Sequence, residues 1–231
     1  MRICVFSDIH GNGPAFWAAY DMMLKEKADV YLCLGDLCGY YFDQIEIFKA
    51  LTRIPNLVCV KGNHDDVFLR ILKGDSDLAH MYKEAYGCSM EYLVRHETPD
   101  FVQWLSALPY SVSFSEQKSF VCYGSPWNLL EGYVYPDTRL DEFVHHPADL
   151  FFLGHTHYPM HRNIDNKKIV NPGSLGQPRD GGRPTYAVLE LPSDRVFFRE
   201  VIYDKNALRK KIDDVGEKNA YLRDVLKRHQ D

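Results

Sequence analysis

The sequence has no Cys-x-x-Cys pair among its six cysteines. Four of them, Cys4, Cys33, Cys59 and Cys122, sit inside apolar runs that read as strands. There they act as small buried hydrophobes in a reducing compartment. No apolar stretch is long enough to span a membrane. The N-terminal run 3–6 is too short for a signal peptide and stops at Ser7-Asp8. There is no excess of basic residues: 27 Lys and Arg stand against 32 Asp and Glu, a net charge of −5. A mildly acidic chain is a poor candidate for stable nucleic-acid binding or for a membrane surface. Internal repeats, low-complexity tracts and linkers are also missing. With 45% hydrophobic and 26% charged residues over 231 positions, the balance excludes a disordered, collagen-like or coiled-coil chain. A chain of this length buries roughly 70% of its unfolded surface and needs no staple merely to fold. These absences point to a soluble cytoplasmic protein of one domain.

What is there begins with a β-α-β-α-β pattern. Residues 2–6 read as a strand, and Asn12-Gly13-Pro14 opens a helix with a cap and an early proline. A second strand at 30–34 is followed by a helix opened at Asp43, with Glu46 three residues on as in a capping box. A third strand covers 57–60. Such an order implies parallel strands joined by right-handed crossovers. Residues 66–108 read as a helical insertion, one helix opened by Thr98-Pro99-Asp100, with aromatics such as Tyr82, Tyr86 and Trp104 packing it onto the core. Strands return at 110–115, 120–123 and 150–153, with a capped helix near 137–146 between them. An antiparallel finish follows at 168–170, 185–191 and 195–203, turned by Pro192-Ser193-Asp194. From Asp204 the tail reads as a charged helix with Leu208, Ile212, Val215, Leu222 and Leu226 on one face.

Four polar clusters each follow an apolar run: Ser7-Asp8-Ile9-His10-Gly11-Asn12, Gly35-Asp36, Lys61-Gly62-Asn63-His64-Asp65 and Gly154-His155-Thr156-His157. In an open α/β sheet, ligands bind outside the carboxyl ends of the strands, so all four would converge on one rim. His10 and Asp36 are 26 residues apart and Asp36 and Asn63 are 27, each close to one βα repeat of about 30 residues. Carboxylate and imidazole donors together suit Zn, Mn or Fe rather than Ca. An Asp36 reached from both sides could bridge two ions roughly 3.5–4 Å apart, which would hold a hydroxide and clamp a phosphate. Each piece alone is weak; the combination indicates a metal site.

On those residues the sequence resembles the calcineurin-like metallophosphoesterases. The stretch 171–181, Asn-Pro-Gly-Ser-Leu-Gly-Gln-Pro-Arg-Asp-Gly, is similar to the small prokaryotic branch of that family. The resemblance covers nearly the whole chain and implies an α/β fold, a four-layer αββα sandwich of two mixed sheets with the helical insertion as a cap. It implies two divalent or trivalent ions (Mn, Fe, Zn or Ni). Asp8, His10, Asp36 and His157 would hold the first, and Asp36, Asn63 and His155 the second. His64 would be the general acid, oriented or tuned by Asp65. The reaction implied is hydrolysis of a phosphodiester, phosphomonoester or nucleotide polyphosphate by a metal-bridged hydroxide, with a phosphorylated small molecule or nucleotide as partner.

Two departures from the family pattern matter. Tyr123 stands where the family has a metal-binding His before the Gly-Ser-Pro turn. It would ligate as a phenolate, leave the second ion one ligand short, or leave that position empty, and the three stay open. Its neighbour Cys122 should face the other side of the strand. The loop after Asp36 reads Gly39-Tyr40-Tyr41-Phe42, whose rings either line the mouth or pack under the insertion. Asn12, Tyr40 and Arg179 are candidate substrate contacts, and Arg183 lies close by. The other reading of the chain is a catalytically weak or inactive metal-binding scaffold on the same fold; Tyr123 favours it and an intact His64 opposes it.

Overall fold

A computed structural model describes residues 1–228. The first half runs β1 (Arg2–Phe6), α1 (Gly13–Lys25), β2 (Val30–Cys33), α2 (Gln44–Leu51) and β3 (Leu57–Cys59). Four helices follow: α3 (Asn63–Leu72), α4 (Ser76–Tyr86), α5 (Ser89–His96) and α6 (Pro99–Ala107). The second half runs β4 (Ser111–Phe114), β5 (Ser119–Cys122), a 3-10 turn (Asp141–His145), β6 (Leu150–Phe152), β7 (Pro159–Ile164), β8 (Lys167–Pro172), β9 (Thr185–Glu190) and β10 (Arg195–Glu200). Two helices, α7 (Lys205–Asp214) and α8 (Tyr221–Leu226), close the described chain. Among the described residues, no helix is long and apolar enough to cross a membrane.

The strands form two mixed five-stranded sheets. The first has the order β10-β9-β1-β2-β3, with β1, β2 and β3 parallel and β9 antiparallel to β1. The second has the order β4-β5-β6-β8-β7, with β5, β6 and β8 parallel. Alternation along the strands explains how they stack. Ile3, Val5, Leu32 and Leu34 face Val121, Leu150, Phe152 and Val170 in a seam between the sheets. Cys4, Phe6, Tyr31 and Cys33 point the other way, into the layer of helices. Phe151, Leu153 and Cys122 face the outside of the second sheet, under Val134, Leu140 and Phe143. That outer layer is thin, its regular part being the single 3-10 turn in place of the capped helix expected there. All six cysteines are free thiols, and five are buried.

Several local expectations need correction. Asp43 makes no capping bond; it pairs with Lys211 at 3.0 Å and ties α7 to the core. Strand β7 has no counterpart in the sequence reading. It is an edge strand in which only Met160 is buried, so it lacks an apolar signature. The tail is two helices, because Gly216 takes a left-handed φ of 77° just past α7. Leu208, Ile212, Leu222 and Leu226 nevertheless share one buried cluster, with Tyr40, Tyr41 and Phe42. The three aromatics after Gly39 therefore pack under the C-terminal helices, each 4% exposed or less.

Candidate metal centre and active site

The carboxyl ends of both sheets meet at one rim. Backbone bonds there place the first two loops side by side: Asp8 N donates to Gly35 O at 3.1 Å and His10 N to Asp36 O at 2.9 Å. Segment 171–177 then laces them to the second sheet. Ser174 Oγ donates to Asp8 O at 2.8 Å, and Asn171 Nδ2 donates to Gly154 O at 2.7 Å and Thr156 Oγ1 at 3.0 Å. Five candidate ligands, Asp8, His10, Asp36, His155 and His157, hold left-handed backbone with φ between 51° and 70°. Such conformations cost non-glycine residues energy and persist where surrounding bonds over-determine them. Behind Asp36, a Cβ on Gly62 would stand 2.1 Å from its Oδ1, so the close approach requires glycine.

The side chains converge. His10 Nε2 lies 3.3 Å from His157 Nε2, 3.8 Å from Asp8 Oδ1 and 3.7 Å from Asp36 Oδ2. His157 Nε2 is 3.2 Å from Asp8 Oδ1. Both imidazoles are oriented from behind. His10 Nδ1 faces Cys38 O at 2.9 Å and His157 Nδ1 faces Gln177 O at 2.5 Å. A carbonyl partner fixes Nδ1 as the donor and leaves Nε2 with its lone pair toward the cluster. His155 joins through its backbone, N donating to Asp8 Oδ2 at 3.2 Å, and Tyr133 stacks on its ring at 3.9 Å.

This donor set fits a metal. Asp8, Asp36 and Asp65 are completely buried together. Among the described residues, the ionic partners of Asp8 and Asp36 are His10 and His157 alone. Asn63 Oδ1 and His155 Nε2 are buried with no hydrogen-bond partner. Buried polar atoms without partners are rare and costly, and a cation would satisfy both. The electrostatics agree. Burial, then Asp65 and Asp8, push the Asp36 carboxyl well above the carboxylate range. Burial alone would also raise Asp8, but the neighbouring His157 and His10 hold it below its ordinary value. Burial, then His64 and His157, hold His10 well below the usual histidine value. A neutral His10 is the protonation state a metal requires, and the crowding of negative charge that lifts Asp36 is what a bound cation would offset.

Tyr123 occupies the centre of this arrangement. It stands one residue past β5, where Cys122 faces the outer layer as expected and Val121 the inner seam. Its Oη lies 2.7 Å from Asp8 Oδ1 and 2.5 Å from Asp36 Oδ2, with a single phenolic proton to share between them. Burial and the two carboxylates push the phenol well above its usual pKa. The phenol is therefore a proton-bearing link between the carboxylates.

His64 caps the other side. Its backbone N donates to Asp36 Oδ1 at 2.8 Å, and its Nδ1 lies 3.2 Å from Tyr82 Oη. Its ring atoms come close enough to His10 and Asp36 to complete a three-residue ligand cluster. Burial, then His157 and Arg179, push its pKa down to about 3.

Other assignments change. Asp65 does not touch the His64 ring. Its carboxylate accepts from Asp36 N and Cys38 N, both at 2.9 Å, and from Gly62 N at 3.0 Å. It positions the Asp36 loop, and Tyr82 is the side chain that orients His64. Asn12 is not free for substrate either. It caps α1 by accepting from Ala15 N at 3.2 Å and donates to Gly176 O at 2.9 Å. Tyr40 is buried, with its ring 4.4 Å from His10 and its N–H donating to Tyr82 Oη at 3.1 Å. Arg179 is exposed at the rim, Nη2 3.4 Å from Tyr40 Oη. Sequence reasoning missed Tyr82 as a positioning group and Tyr133 as a ring at the mouth. Tyr133-x-Tyr135 carries a faint signal, since alternate residues of an extended segment share a face; the two rings are parallel within 3°.

Comparison with known proteins agrees with this geometry. The chain is 28% identical over 229 residues to an uncharacterised protein of Methanocaldococcus jannaschii, covering 91% of each. It is 21% identical over 204 residues to a phosphodiesterase of the same organism, covering 88% of this chain and all of the relative. A metallophosphoesterase crystal structure from Sphaerobacter thermophilus superposes with a TM-score of 0.83 at 26% identity, over 98% of both chains. Residues 1–194 match the calcineurin-like phosphoesterase superfamily domain. With that match and with buried carboxylates and imidazoles converging at the shared rim, the chain belongs to the calcineurin-like phosphoesterase superfamily.

Proposed function

We propose that the protein is a metal-dependent phosphoesterase that hydrolyses phosphate diesters or monoesters, with His64 as general acid. The observation that carries this reading is the cluster of Asp8, His10, Asp36 and His157 beside the partnerless donors of Asn63 and His155. Asp8, His10, Asp36 and His157 would hold one ion; Asp36, Asn63 and His155 are the donors for a second. Bound there, Mn, Fe or Zn supplies Lewis-acid activation of water and of the phosphoryl oxygens.

The chain's own groups supply the rest. Asp65 fixes the Asp36 loop through three backbone N–H groups. Burial holds the His64 ring neutral, and with Tyr82 Oη donating to Nδ1 its one proton sits on Nε2, from which it would pass to the departing ester oxygen. Arg179 offers a guanidinium to non-reacting phosphoryl oxygens. The name of the phosphodiesterase relative supports diester cleavage. Tyr123 favours a second reading, a catalytically weak scaffold, because the phenol oxygen sits within hydrogen-bond distance of both carboxylates where the second ion would reach them. The buried support of His64 favours the hydrolase. The deciding experiment is to strip the protein, add back Mn, Fe, Zn or Ni, count bound metal and assay bis(p-nitrophenyl) phosphate and p-nitrophenyl phosphate. Metal-dependent turnover is expected; bound metal without turnover would establish the scaffold.

A further inference from the structure

A cleft of about 400 Å³ opens beside the metal cluster. Tyr158, Gln177, Arg179, Tyr221 and Arg228 line it. Its volume lies in the range of small-molecule sites. The floor is Gln177, the residue whose carbonyl orients His157. One end therefore begins next to a candidate metal ligand.

The walls have a specific chemistry. Arg179 leans over the site, and among the described residues its guanidinium has no ion pair. Asp180, at the rim, has Oδ1 turned back to accept from Gly182 N at 3.0 Å. Two partly buried tyrosines face the same space. Tyr221 is held from behind by stacking on Tyr40, with centroids 5.8 Å apart and planes at 26°, and by an edge contact with Tyr86. Tyr158 is held by an edge contact with Tyr135 at 5.9 Å. Tyrosine faces accept a flat base, and guanidinium groups accept phosphate. Tyr221 and Arg228 lie on and just past α8, beyond the residue 194 where the family match ends. The C-terminal segment, outside that match, thus forms one wall of the cleft.

We infer that α8 and the Tyr158–Arg179 segment form a nucleotide-binding cleft, in which Tyr221 and Tyr158 hold the base of a phosphate ester whose phosphate lies at the metal rim. This assignment rests on the phosphoesterase reading for the place of the reacting phosphate. It makes nucleotides, rather than sugar or alkyl phosphates, the substrate class.

The test is calorimetric titration of the metal-loaded protein with AMP and with ribose 5-phosphate, which lacks the base. AMP is expected to bind about tenfold more tightly, since stacking on one side chain is typically worth a factor of that order. Tyr221→Leu is expected to bring AMP down to the ribose 5-phosphate level, and Tyr221→Phe to retain the preference. Tyr221 also packs on Tyr40 and Tyr86, so Tyr158→Leu is measured beside it. A reduced AMP preference in that variant supports the cleft even where Tyr221→Leu misfolds. Equal binding of AMP and ribose 5-phosphate to the native protein overturns the proposal, as does full AMP preference in folded variants of both tyrosines. The hydrolase reading fails differently, through absent turnover on aryl phosphate esters with the AMP preference intact.

Discussion

The rims of the two sheets build one centre from different materials. The first sheet supplies the carboxylates Asp8 and Asp36, the amide of Asn63, and His10 and His64. The second supplies His155, His157 and the phenol of Tyr123. Both carboxylates come from the first sheet, whereas the uncharged donors divide evenly, three from each. The centre exists only when the seam of Val5, Leu32, Val121 and Phe152 brings the sheets together. An ion bound there would cross-link the two sheets, so metal loading should raise the melting temperature. The gain is about 2.7 kcal/mol at a hundredfold excess over Kd.

The sharpest way to break the comparison is to remove the carboxylate shared by both halves. Asp36→Asn is expected to abolish turnover and bound metal together, an effect beyond the 10–100-fold in affinity typical of outer partners alone. Next comes His64→Ala, expected to lower turnover by about 10²–10⁴-fold with metal content unchanged. Loss of metal in that variant would make His64 a ligand, as its closeness to His10 and Asp36 permits. Asp65→Ala strips three backbone N–H groups of their acceptor; the expected costs are about 1–3 kcal/mol of stability and about tenfold in metal affinity. Chemical denaturation and metal titration read the two effects. On the second sheet, Tyr123→His is expected to raise bound metal toward two per chain, measured by elemental analysis. Unchanged stoichiometry would show that the phenol does not limit the second position.

The smallest effect concerns the wall behind the site. Glu217 accepts from Cys88 N at 2.5 Å and from Asn219 N at 2.7 Å, joining the α7–α8 segment to α5. Burial alone would raise its pKa, but these backbone bonds hold it below the ordinary value. A lowered carboxyl contributes fully above its unfolded pKa, and the contribution is lost as pH falls through the folded value. Exchange of the Cys88 and Asn219 amides should therefore accelerate below about pH 4.3, the ordinary glutamate pKa, with the core amides unaffected. Acceleration on raising the pH through that range, beyond the intrinsic chemical rate, would contradict the sign.

The first rim was the more legible in the sequence because its ligands follow parallel strands at βα spacing. Asp8, Asp36 and Asn63 each sit one turn past an apolar run, and local chain geometry places them. The same logic read Asp43–Glu46 as a cap and was overridden, because Lys211, far along the chain, offered Asp43 a charge. It also left the roles of Tyr40 and Asn12 open, since a tyrosine in a loop and an asparagine before a helix have several uses until their neighbours are known. Strand β7 escaped because an edge strand need bury little.

By itself the sequence determined the ligand types, their order and the layered α/β plan, since strand alternation and βα spacing are local properties of the chain. Only the tertiary structure decided what each polar group faces. The bonds of Asp65 to Asp36 N and Cys38 N, the Tyr123 link between two carboxylates and the Tyr82 support of His64 all join residues 18 or more positions apart, and the cleft under α8 brings Tyr158 together with Tyr221. Burial is what makes those pairings matter, because a buried polar group must find its partner wherever the fold places one.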